Sequence, residues 1–289
     1  NMIIEKIDRI LNDNIFEGIN IHYFGGEPLL NIPVLIYLDE NIKKITDKIG
    51  IVYKAFLTTN GSMLSKELLQ KEKFSSIQLT FDGLEKTHDR LRVSDHFHFK
   101  EEIELIENIM NFSQAKVLLR TNICKENKDE IIALHKYIFE KFGNERIEIN
   151  PNRTIKYHQD DSFEMLSVQE YAEVAYQIKL LWSEQKGKFE LPVPRSTPCK
   201  FPYGNAYAIS PEGYCTFCSG SMDQEKKYFF DVDIENKKMF SVRKECKKCN
   251  ILPLCLGGCI IQYNLRAGAC TYEKYELKNI LISYIKHIS

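Results

Sequence analysis

Thiolates at short spacing are the most informative chemical feature of this chain. Eight of its nine cysteines lie in the last third of the sequence, with glycine and proline between them. The central group has the spacing Cys-x2-Cys-x5-Cys-x3-Cys and begins at Cys246. Soft sulfur ligands that converge from folded loops bind zinc or iron–sulfur clusters. The sequence therefore predicts a metal centre whose candidate ligands are Cys199, Cys215, Cys218, Cys246, Cys249, Cys255, Cys259 and Cys270.

The same cysteines have two other interpretations. A disulfide-stapled secreted module is disfavoured by the odd cysteine count and by the start of the chain, where charged and apolar residues alternate at helical spacing instead of forming a secretion signal. We therefore expect a cytoplasmic protein, because a reducing compartment keeps clustered thiols available for metal. Tetrahedral zinc stays open as an alternative, since Cys-x2-Cys pairs also suit that ion.

Composition and charge exclude some partners. The 289 residues are 44% hydrophobic and 27% charged, as in a globular protein with one large and one small domain. The net charge of −1 gives no reason to expect nucleic acid or an anionic membrane as a partner. The basic residues within 243–248 are interleaved with cysteines and Glu245, and no segment has the uncharged apolar length that spans a bilayer.

The elements that must position this chemistry alternate between strands and helices over residues 1 to 190, as in proteins built from βα units around a parallel sheet. Helical spacing opens the chain. Five strands are predicted, at residues 19–24, 52–59, 76–81, 116–122 and 145–150. Further helices are predicted at residues 32–49, from Ser65, and at 101–112, 127–142 and 167–187.

The composition changes at residues 191–199, where three prolines exclude a helix and indicate a linker. Beyond it, the sequence predicts a hairpin that turns at Pro211-Glu212-Gly213 and a final helix at residues 272–288. We therefore place one domain at residues 1–190 and a second, cysteine-rich domain at residues 191–289.

Polar segments follow all five predicted strands, where parallel α/β proteins bind their ligands. They are Gly25-Gly26-Glu27-Pro28, Thr58-Thr59-Asn60-Gly61, Thr80-Phe81-Asp82-Gly83, Arg120 with Asn122, and Asn150-Pro151-Asn152. The first is the strongest signal, because a glutamate between glycines and proline has no evident packing role. Asn60-Gly61 and Asp82-Gly83 are also common turn residues. His88 suits a surface or a helix start, and Arg120 could pair with a neighbouring carboxylate.

Taken together, these segments and the cysteine spacing resemble the radical S-adenosylmethionine (radical SAM) superfamily, specifically its members with a C-terminal SPASM domain. The resemblance covers nearly the whole chain. It implies an α/β fold, in which a partial (β/α)6 TIM-like radical SAM barrel is followed by a small cysteine-rich SPASM iron–sulfur domain and a C-terminal helix.

The resemblance also implies roles for the polar segments. The Gly25–Pro28 segment matches the family motif that holds the methionine amino group of S-adenosylmethionine (AdoMet). Thr80 stands at the hydroxyl position of the family's S-x-D-G motif, which contacts the cofactor's ribose or carboxylate. The implied cofactor contacts are Gly25, Gly26, Glu27, Pro28, Asn60, Thr80, Asp82 and Arg120.

The SPASM pattern implies two auxiliary [4Fe–4S] clusters. Thirteen residues separate Cys199 from Gly213, and the family's Gly-x4-Cys then ends at Cys218. The outer cluster is expected on Cys246, Cys249, Cys255 and Cys270. The inner cluster is expected on Cys199, Cys218 and Cys259, with Cys215 as a candidate fourth ligand or with one iron open to substrate. Cys124 matches no ligand position and is interpreted as structural.

One part of the family pattern is not in this sequence. The radical-generating cluster of the family needs Cys-x3-Cys-x2-Cys upstream of Gly-Gly-Glu-Pro, and the 24 residues before Gly25 contain no cysteine. We expect that motif, and a third [4Fe–4S] cluster with it, outside these 289 residues, because the other family residues are intact. A degenerate, inactive relative is the alternative.

By this resemblance the chain is a radical SAM peptide maturase. In the family, a 5′-deoxyadenosyl radical from AdoMet abstracts hydrogen from a peptide, which then gains a thioether or another crosslink. The implied partners are a peptide or protein substrate, in some members with a leader peptide, and an electron donor such as flavodoxin or ferredoxin. No nucleic-acid or membrane partner is expected.

Two other functions stay open. Anaerobic sulfatase-maturating enzymes, which form formylglycine, carry an aspartate directly after the Gly-x4-Cys cysteine, where this chain has Ser219. A non-catalytic peptide-binding relative is the second. No catalytic acid or base is identified from the sequence, and Asp82, His88 and Asp89 are candidate proton carriers without an assigned role.

Overall fold

The structure is a computed structural model that describes residues 2–13, 16–143, 145–156, 162–196, 199, 206–216, 227–228, 242–259 and 270–288. The chain divides into two compact units, a first unit of Asn1–Asn152 and a second unit of Arg153–Ser289.

A five-stranded sheet organises the first unit. Its strands run in sequence order and are β1 Gly18–Tyr23, β2 Val52–Thr58, β3 Phe74–Thr80, β4 Lys116–Ile123 and β5 Ile147–Arg153. The pairs β1–β2, β2–β3 and β3–β4 are parallel. All five predicted strands are confirmed within a few residues.

Helices connect the strands of the first unit. They are α1 Met2–Asp13, α2 Ile32–Ile49, α3 Lys66–Lys71, α4 Glu85–Leu91, α5 Phe99–Phe112 and α6 Lys128–Phe142. Local chemistry sets their ends: Ser65 caps α3 by accepting from the Leu68 N–H, and α2 ends at Gly50 in the left-handed conformation (φ +76°). The sequence did not predict α4, because a seven-residue helix has too few turns to show a periodic apolar face.

The two faces of the sheet differ in chemistry. One face of β4 is fully buried and consists of Val117, Leu119, Thr121 and Ile123. The other face is partly exposed and carries Leu118, Arg120 and Asn122. A parallel sheet with a polar second face is typical of a barrel whose interior binds a ligand, and it differs from an open sheet with helices on both faces. The partial barrel predicted from the sequence is therefore confirmed.

The second unit contains two long helices, α7 Val168–Lys186 and the final helix α9 Glu273–Ile288, which pack on each other. Tyr176 and Ser283 join them through their hydroxyl groups at 2.6 Å. The predicted hairpin is present as β6 Ala208–Ile209 and β7 Tyr214–Thr216, to which β8 Lys227–Tyr228 adds a third antiparallel strand. A short helix, α8 Leu252–Cys255, lies among the cysteines.

The described residues of the predicted linker, 191–196 and 199, form neither helix nor strand. Among all residues that the structure describes, no helix combines the length and apolarity needed to cross a bilayer.

Candidate functional site

The polar face of the first unit ends in a cluster of side chains at the carboxyl ends of the strands. Glu27 lies at its centre on the β1 side. Its Oε1 accepts from the Leu29 N–H at 3.0 Å and from the Thr59 hydroxyl at 2.7 Å, and its Oε2 accepts from the Asn60 N–H at 2.7 Å. Three donors thus fix the glutamate carboxylate in one orientation, which keeps a negative charge at the sheet edge.

Asn60 stabilises the loop that holds Glu27. Its side-chain oxygen accepts from the N–H and hydroxyl of Ser62, at 3.0 and 2.8 Å. Gly61 follows with φ +87°, and a Cβ there would lie only 2.6 Å from a methyl carbon of Leu105. Asn60 and Gly61 therefore belong to a tight loop, and the backbone of that loop supplies a donor to Glu27.

Gly25 and Gly26 place bare backbone next to Glu27. Both are exposed, and a Cβ at either would meet no atom within 4 Å. Only Gly25 has a left-handed φ, at +146°, which an L side chain rarely adopts. Only Gly25 therefore has a conformational reason to be glycine, whereas a side chain would fit at Gly26.

Substitution of the two glycines should show this difference. Gly25→Ala should lower the free energy of unfolding by about 1–3 kcal/mol through backbone strain. Gly26→Ala is the matched control, because it adds the same methyl group in equally open space without that strain. Urea unfolding of both variants checks this, and equal destabilisation would contradict it.

Asp82 is the centre of a second hydrogen-bonded group, at the ends of β3 and β4. Its Oδ2 accepts from Arg92 Nη1 at 3.2 Å, and its Oδ1 accepts from the Asn122 N–H at 3.2 Å. The Asn122 side chain in turn accepts from Arg120 Nε at 2.9 Å. Thr80 is 7% exposed and stands opposite Arg120 in the strand register. Four side chains singled out in the sequence are thus brought together here: Thr80, Asp82, Arg120 and Asn122.

Asn127 also belongs to the hydrogen-bonded group around Asp82, and the sequence did not predict this role. It is 1% exposed, and its side-chain nitrogen donates to the carbonyl oxygens of Asp82 and Asn122, both at 2.8 Å. Its side-chain oxygen accepts from the Cys124 N–H at 2.9 Å. One amide therefore ties the end of β3 to the end of β4. Its only sequence signal was an asparagine at a helix start, which most often caps its own helix.

His88 and Asp89 have structural partners. His88 is 3% exposed and its Nε2 lies 3.2 Å from Oε2 of Glu102, which is 2% exposed. Its Nδ1 accepts from the Asp82 N–H at 3.4 Å, so the neutral ring carries its proton on Nε2. Asp89 accepts from the Phe99 N–H at 2.8 Å at the start of α5. These contacts favour positioning roles for the two residues over direct proton transfer to a ligand.

Burial sets the charge of the His88–Glu102 pair. It lowers the pKa of His88 to about 4 and raises the pKa of Glu102 to about 8, so both side chains are neutral near pH 7. A neutral pair costs less free energy to bury than an ion pair. His88 of this pair accepts from the Asp82 N–H, and Arg92 stays bonded to the Asp82 carboxylate.

Glu102→Gln should change the pH dependence of stability. Glutamate in the unfolded chain ionises near its ordinary pKa of 4.5, whereas folded Glu102 keeps its proton to about pH 8, so the wild type loses stability as pH rises through this window. Relative to Glu102→Gln, we expect the wild type to lose about 2–4 kcal/mol between about pH 5 and about pH 8 in urea unfolding. Exposed Glu104 lies on the same helix, and Glu104→Gln should show no such difference.

A row of neutral polar side chains crosses the polar face of the sheet, below the hydrogen-bonded groups around Glu27 and Asp82. His22 Nε2 lies 2.8 Å from Thr58 Oγ1. Gln78 donates to Thr58 at 3.4 Å and accepts from Asn150 at 3.0 Å. The row joins side chains of four strands, and it presents imidazole, hydroxyl and amide groups without a formal charge. Such groups suit a ligand with neutral hydrogen-bonding groups.

Four cysteines of the second unit surround one cavity. It is about 30 Å³ in volume and is lined by Cys246, Cys249, Cys255 and Cys270, together with Arg243, Ile251, Leu252, Gly257, Thr271 and Lys274. These four cysteines are the predicted outer ligand set. Among the described residues, no three histidine, cysteine or acidic side chains converge closely enough for a single metal ion. The four thiols line one common cavity instead.

The remaining cysteines are less closely placed. All eight described cysteines are free, with Cys199 partly exposed and Cys259 exposed. Cys215 is buried on β7, and burial raises its pKa to about 11, so its thiol is protonated unless a metal displaces the proton. Cys218 and Ser219 lie outside the described residues. Cys124 is buried in the first unit beside Asn127, which agrees with a structural thiol.

Comparison with known proteins rests on structure. No protein-family model and no curated protein matches the chain. Among solved structures, anSMEcpe with bound AdoMet and Kp18Cys peptide matches with a TM-score of 0.70 at 17% identity, covering 99% of this chain and 91% of that one. SuiB of Streptococcus suis bound to precursor peptide SuiA matches with a TM-score of 0.60 at 17% identity, covering 93% of this chain and 67% of that one.

The chain shares the fold of these AdoMet-bound and peptide-bound structures. The likeness to anSMEcpe extends over both units, since nearly the whole chain is covered. The fold class predicted from the sequence is thereby confirmed. This fold also explains why the polar residues gather at one edge, because a barrel of parallel strands brings the carboxyl ends of those strands together.

Proposed function

We propose that this protein is an AdoMet-dependent radical enzyme that modifies a peptide. The observation that carries the proposal is the fixed carboxylate of Glu27 at the open edge of a sheet with the radical SAM fold. The matched anSMEcpe structures and one of SuiB hold AdoMet, and structures of both proteins hold a peptide. Domains at 1–190 and 191–289 are part of the proposal, as a barrel followed by a SPASM domain.

Glu27 would bind the ammonium group of AdoMet. The negative charge is oriented by three donors, and the bare backbone of Gly25 and Gly26 leaves room for the methionine end to approach. Pro28 begins the 3-10 turn that directs the Glu27 side chain inward. On the other side of the edge, Thr80 and the Arg120 guanidinium offer a hydroxyl and a positive charge to ribose or carboxylate oxygens.

Asp82 and Asn60 would act on the cofactor through position. Both side chains are already bonded to protein groups, Asp82 to Arg92 and Asn60 to Ser62. They therefore fix the loops that carry Thr80 and the donors to Glu27.

The second unit would hold the auxiliary clusters. The outer ligands are Cys246, Cys249, Cys255 and Cys270, which already surround a common cavity. The inner ligands are Cys199, Cys218 and Cys259, with Cys215 as the candidate fourth. When bound, such clusters supply one-electron transfer or bind substrate. The protein's own contribution is to orient the thiolates and exclude water, and a cytoplasmic location keeps the thiols reduced.

The peptide would lie against the neutral row of His22, Thr58, Gln78 and Asn150. Peptide N–H and C=O groups are neutral donors and acceptors, which this row can match without burying a charge. An electron donor such as flavodoxin or ferredoxin completes the proposed system.

The test uses full-length protein, purified anaerobically and reconstituted with iron and sulfide. AdoMet and dithionite are added, 5′-deoxyadenosine is measured, and iron is counted per chain. About twelve irons with 5′-deoxyadenosine formation support three clusters and a radical enzyme. About eight irons without 5′-deoxyadenosine overturn the enzyme proposal and leave a peptide-binding relative. A colourless preparation that contains zinc overturns the iron–sulfur assignment.

Sulfatase maturation is the second candidate, because the anSMEcpe structures match with TM-scores of 0.67–0.71, above the 0.58 and 0.60 of SuiB. Ser219 stands against it, since a serine hydroxyl is a far weaker base than a carboxylate. Incubation with a cysteine-containing sulfatase peptide, followed by mass spectrometry, separates the two: an aldehyde product favours maturation of sulfatases, and a crosslinked product favours a peptide maturase.

A further inference from the structure

The outer four-cysteine cavity has an electropositive lining. Arg243 and Lys274 are the charged residues among those that line it. Arg243 precedes the first of the four cysteines, and Lys274 lies in the first turn of α9, four residues after the last of them. Neither residue belongs to the cysteine pattern from which the site was predicted.

Lys274 and a backbone amide direct N–H groups at two of the sulfurs. Lys274 Nζ lies 3.9 Å from Cys270 Sγ, and the Gly257 N–H donates to Cys255 Sγ at 3.5 Å. Gly257 can offer this bond because the chain turns through three successive left-handed residues, Leu256, Gly257 and Gly258. Hydrogen bonds to ligand sulfurs draw electron density away from an iron–sulfur centre.

Arg243 brings a full positive charge close to a third sulfur. Its Nη2 donates to the Gly257 carbonyl oxygen at 2.5 Å, which holds the guanidinium over the loop. Arg243 Nε and Cys246 Sγ lie within 3.8 and 4.0 Å of the position that a Cβ on Gly257 would take. Both groups therefore lie against the same face of Gly257. Arg243 is 22% exposed, so solvent screens this charge less than that of an exposed lysine.

Two acidic side chains lie near these cations among the described residues, and neither lines the cavity. Glu245 lies 3.9 Å from Arg243 Nε, but its side chain is 59% exposed and turned towards water. Glu273, next to Lys274, is buried and pairs with Arg195 at 2.7 Å. The charged side chains that line the cavity are therefore both positive.

We propose that Arg243 and Lys274 raise the reduction potential of the outer cluster, so that it serves as an electron acceptor. The inference rests on the proposed function, which places a [4Fe–4S] cluster on these cysteines. One-electron reduction adds a negative charge to a centre that four thiolates already make anionic, and two nearby cations stabilise the reduced form more than the oxidised form. The electron comes from dithionite in the test and from a substrate radical in the proposed reaction.

The experiment is an EPR-monitored redox titration of the full-length reconstituted protein. The outer cluster is identified as the signal that changes or disappears in Cys249→Ala. Arg243→Met is expected to lower the equilibrium constant for its reduction about tenfold, which is a shift of about 59 mV for a one-electron couple. Lys274→Met should lower it about threefold, because the exposed charge is partly screened.

Matched variants isolate charge from structure. Lys278 is exposed one turn further along α9 and does not line the cavity, so Lys278→Met should leave the potential at its wild-type value. Lys274→Arg and Arg243→Lys keep the positive charge, so the reduction potential of the outer cluster should stay close to its wild-type value in both variants. Lys274→Met decides the question even where Arg243→Met loses iron, since within the described part of the chain the Lys274 side chain donates to Cys270 Sγ and has no hydrogen bond to a loop carbonyl like that of Arg243 to Gly257.

Two negative results have different meanings. A full outer cluster whose potential is the same in Lys274→Met, Lys278→Met and the wild type overturns the charge inference and leaves the proposed function intact. Equal iron content and identical spectra in the wild type and Cys249→Ala would mean that no outer cluster forms. That result overturns the outer-cluster assignment and the inference together.

Discussion

Glu27→Gln is expected to weaken AdoMet binding roughly 30- to 150-fold, which corresponds to about 2–3 kcal/mol for a charge-assisted contact to the ammonium group. The amide keeps the size of the carboxylate but loses its charge. It also turns an NH₂ group towards one of the three donors that now point at Glu27, so a modest loss of stability should accompany the loss of affinity.

Binding and folding are separated by measuring both in the same samples. Isothermal titration with AdoMet gives the affinity, and urea unfolding gives the stability. Thr59→Val is the matched control, because it removes the 2.7 Å hydroxyl contact to Glu27 and keeps the charge. We expect a loss of affinity below about tenfold for Thr59→Val. Wild-type affinity in Glu27→Gln would show that the glutamate only shapes the turn.

Asn127→Ala is expected to cost about 3–5 kcal/mol of unfolding free energy, because three backbone groups, one buried and two part-buried, lose their partner at once. These groups are the carbonyl oxygens of Asp82 and Asn122 and the N–H of Cys124. The end of β3 would then separate from the end of β4, so AdoMet affinity should fall in the same variant.

Asn127→Asp gives a sharper test of the same arrangement. The substitution keeps the shape of the side chain but replaces two donated hydrogen bonds by a carboxylate oxygen facing two carbonyl oxygens. It should therefore destabilise the protein at least as much as alanine does near neutral pH. Exposed Asn111, at the end of α5, provides the control, and Asn111→Ala should change stability by less than about 0.5 kcal/mol. An Asn127→Asp variant as stable as the wild type would show that Asn127 does not hold the ends of β3 and β4 together.

Local signals explain why most of the fold was predictable. The strands were short apolar runs between turn residues, and α2, α3 and α7 began at asparagine or serine caps and ended where glycine or a break in pattern required it. The same signals failed for α4, whose N-terminal residue Leu84 offers no side-chain cap. The exact ends of strands also shifted by a few residues, because pairing across the sheet decides them.

The candidate site was only partly predictable for a different reason. Sequence position marks Glu27, Thr80, Asp82 and Arg120 as polar residues at strand ends, but not which of them remain open to a ligand. The roles of Asn127 and of the His88–Glu102 pair depend on contacts between residues far apart in the chain. No pattern within one segment can report such contacts.

The sequence alone determined the chemistry available to this protein: thiolates at SPASM spacing, a Gly-Gly-Glu-Pro segment and alternating strands and helices. Those features depend on residue type and local backbone preference, which short-range patterns express. Tertiary structure decided how the chemistry is arranged. It set Glu27 among three donors, tied β3 to β4 through Asn127, and placed Arg243 and Lys274 at the four-cysteine cavity. Folding brings distant residues within hydrogen-bonding and electrostatic range, and that proximity is not written in any one segment.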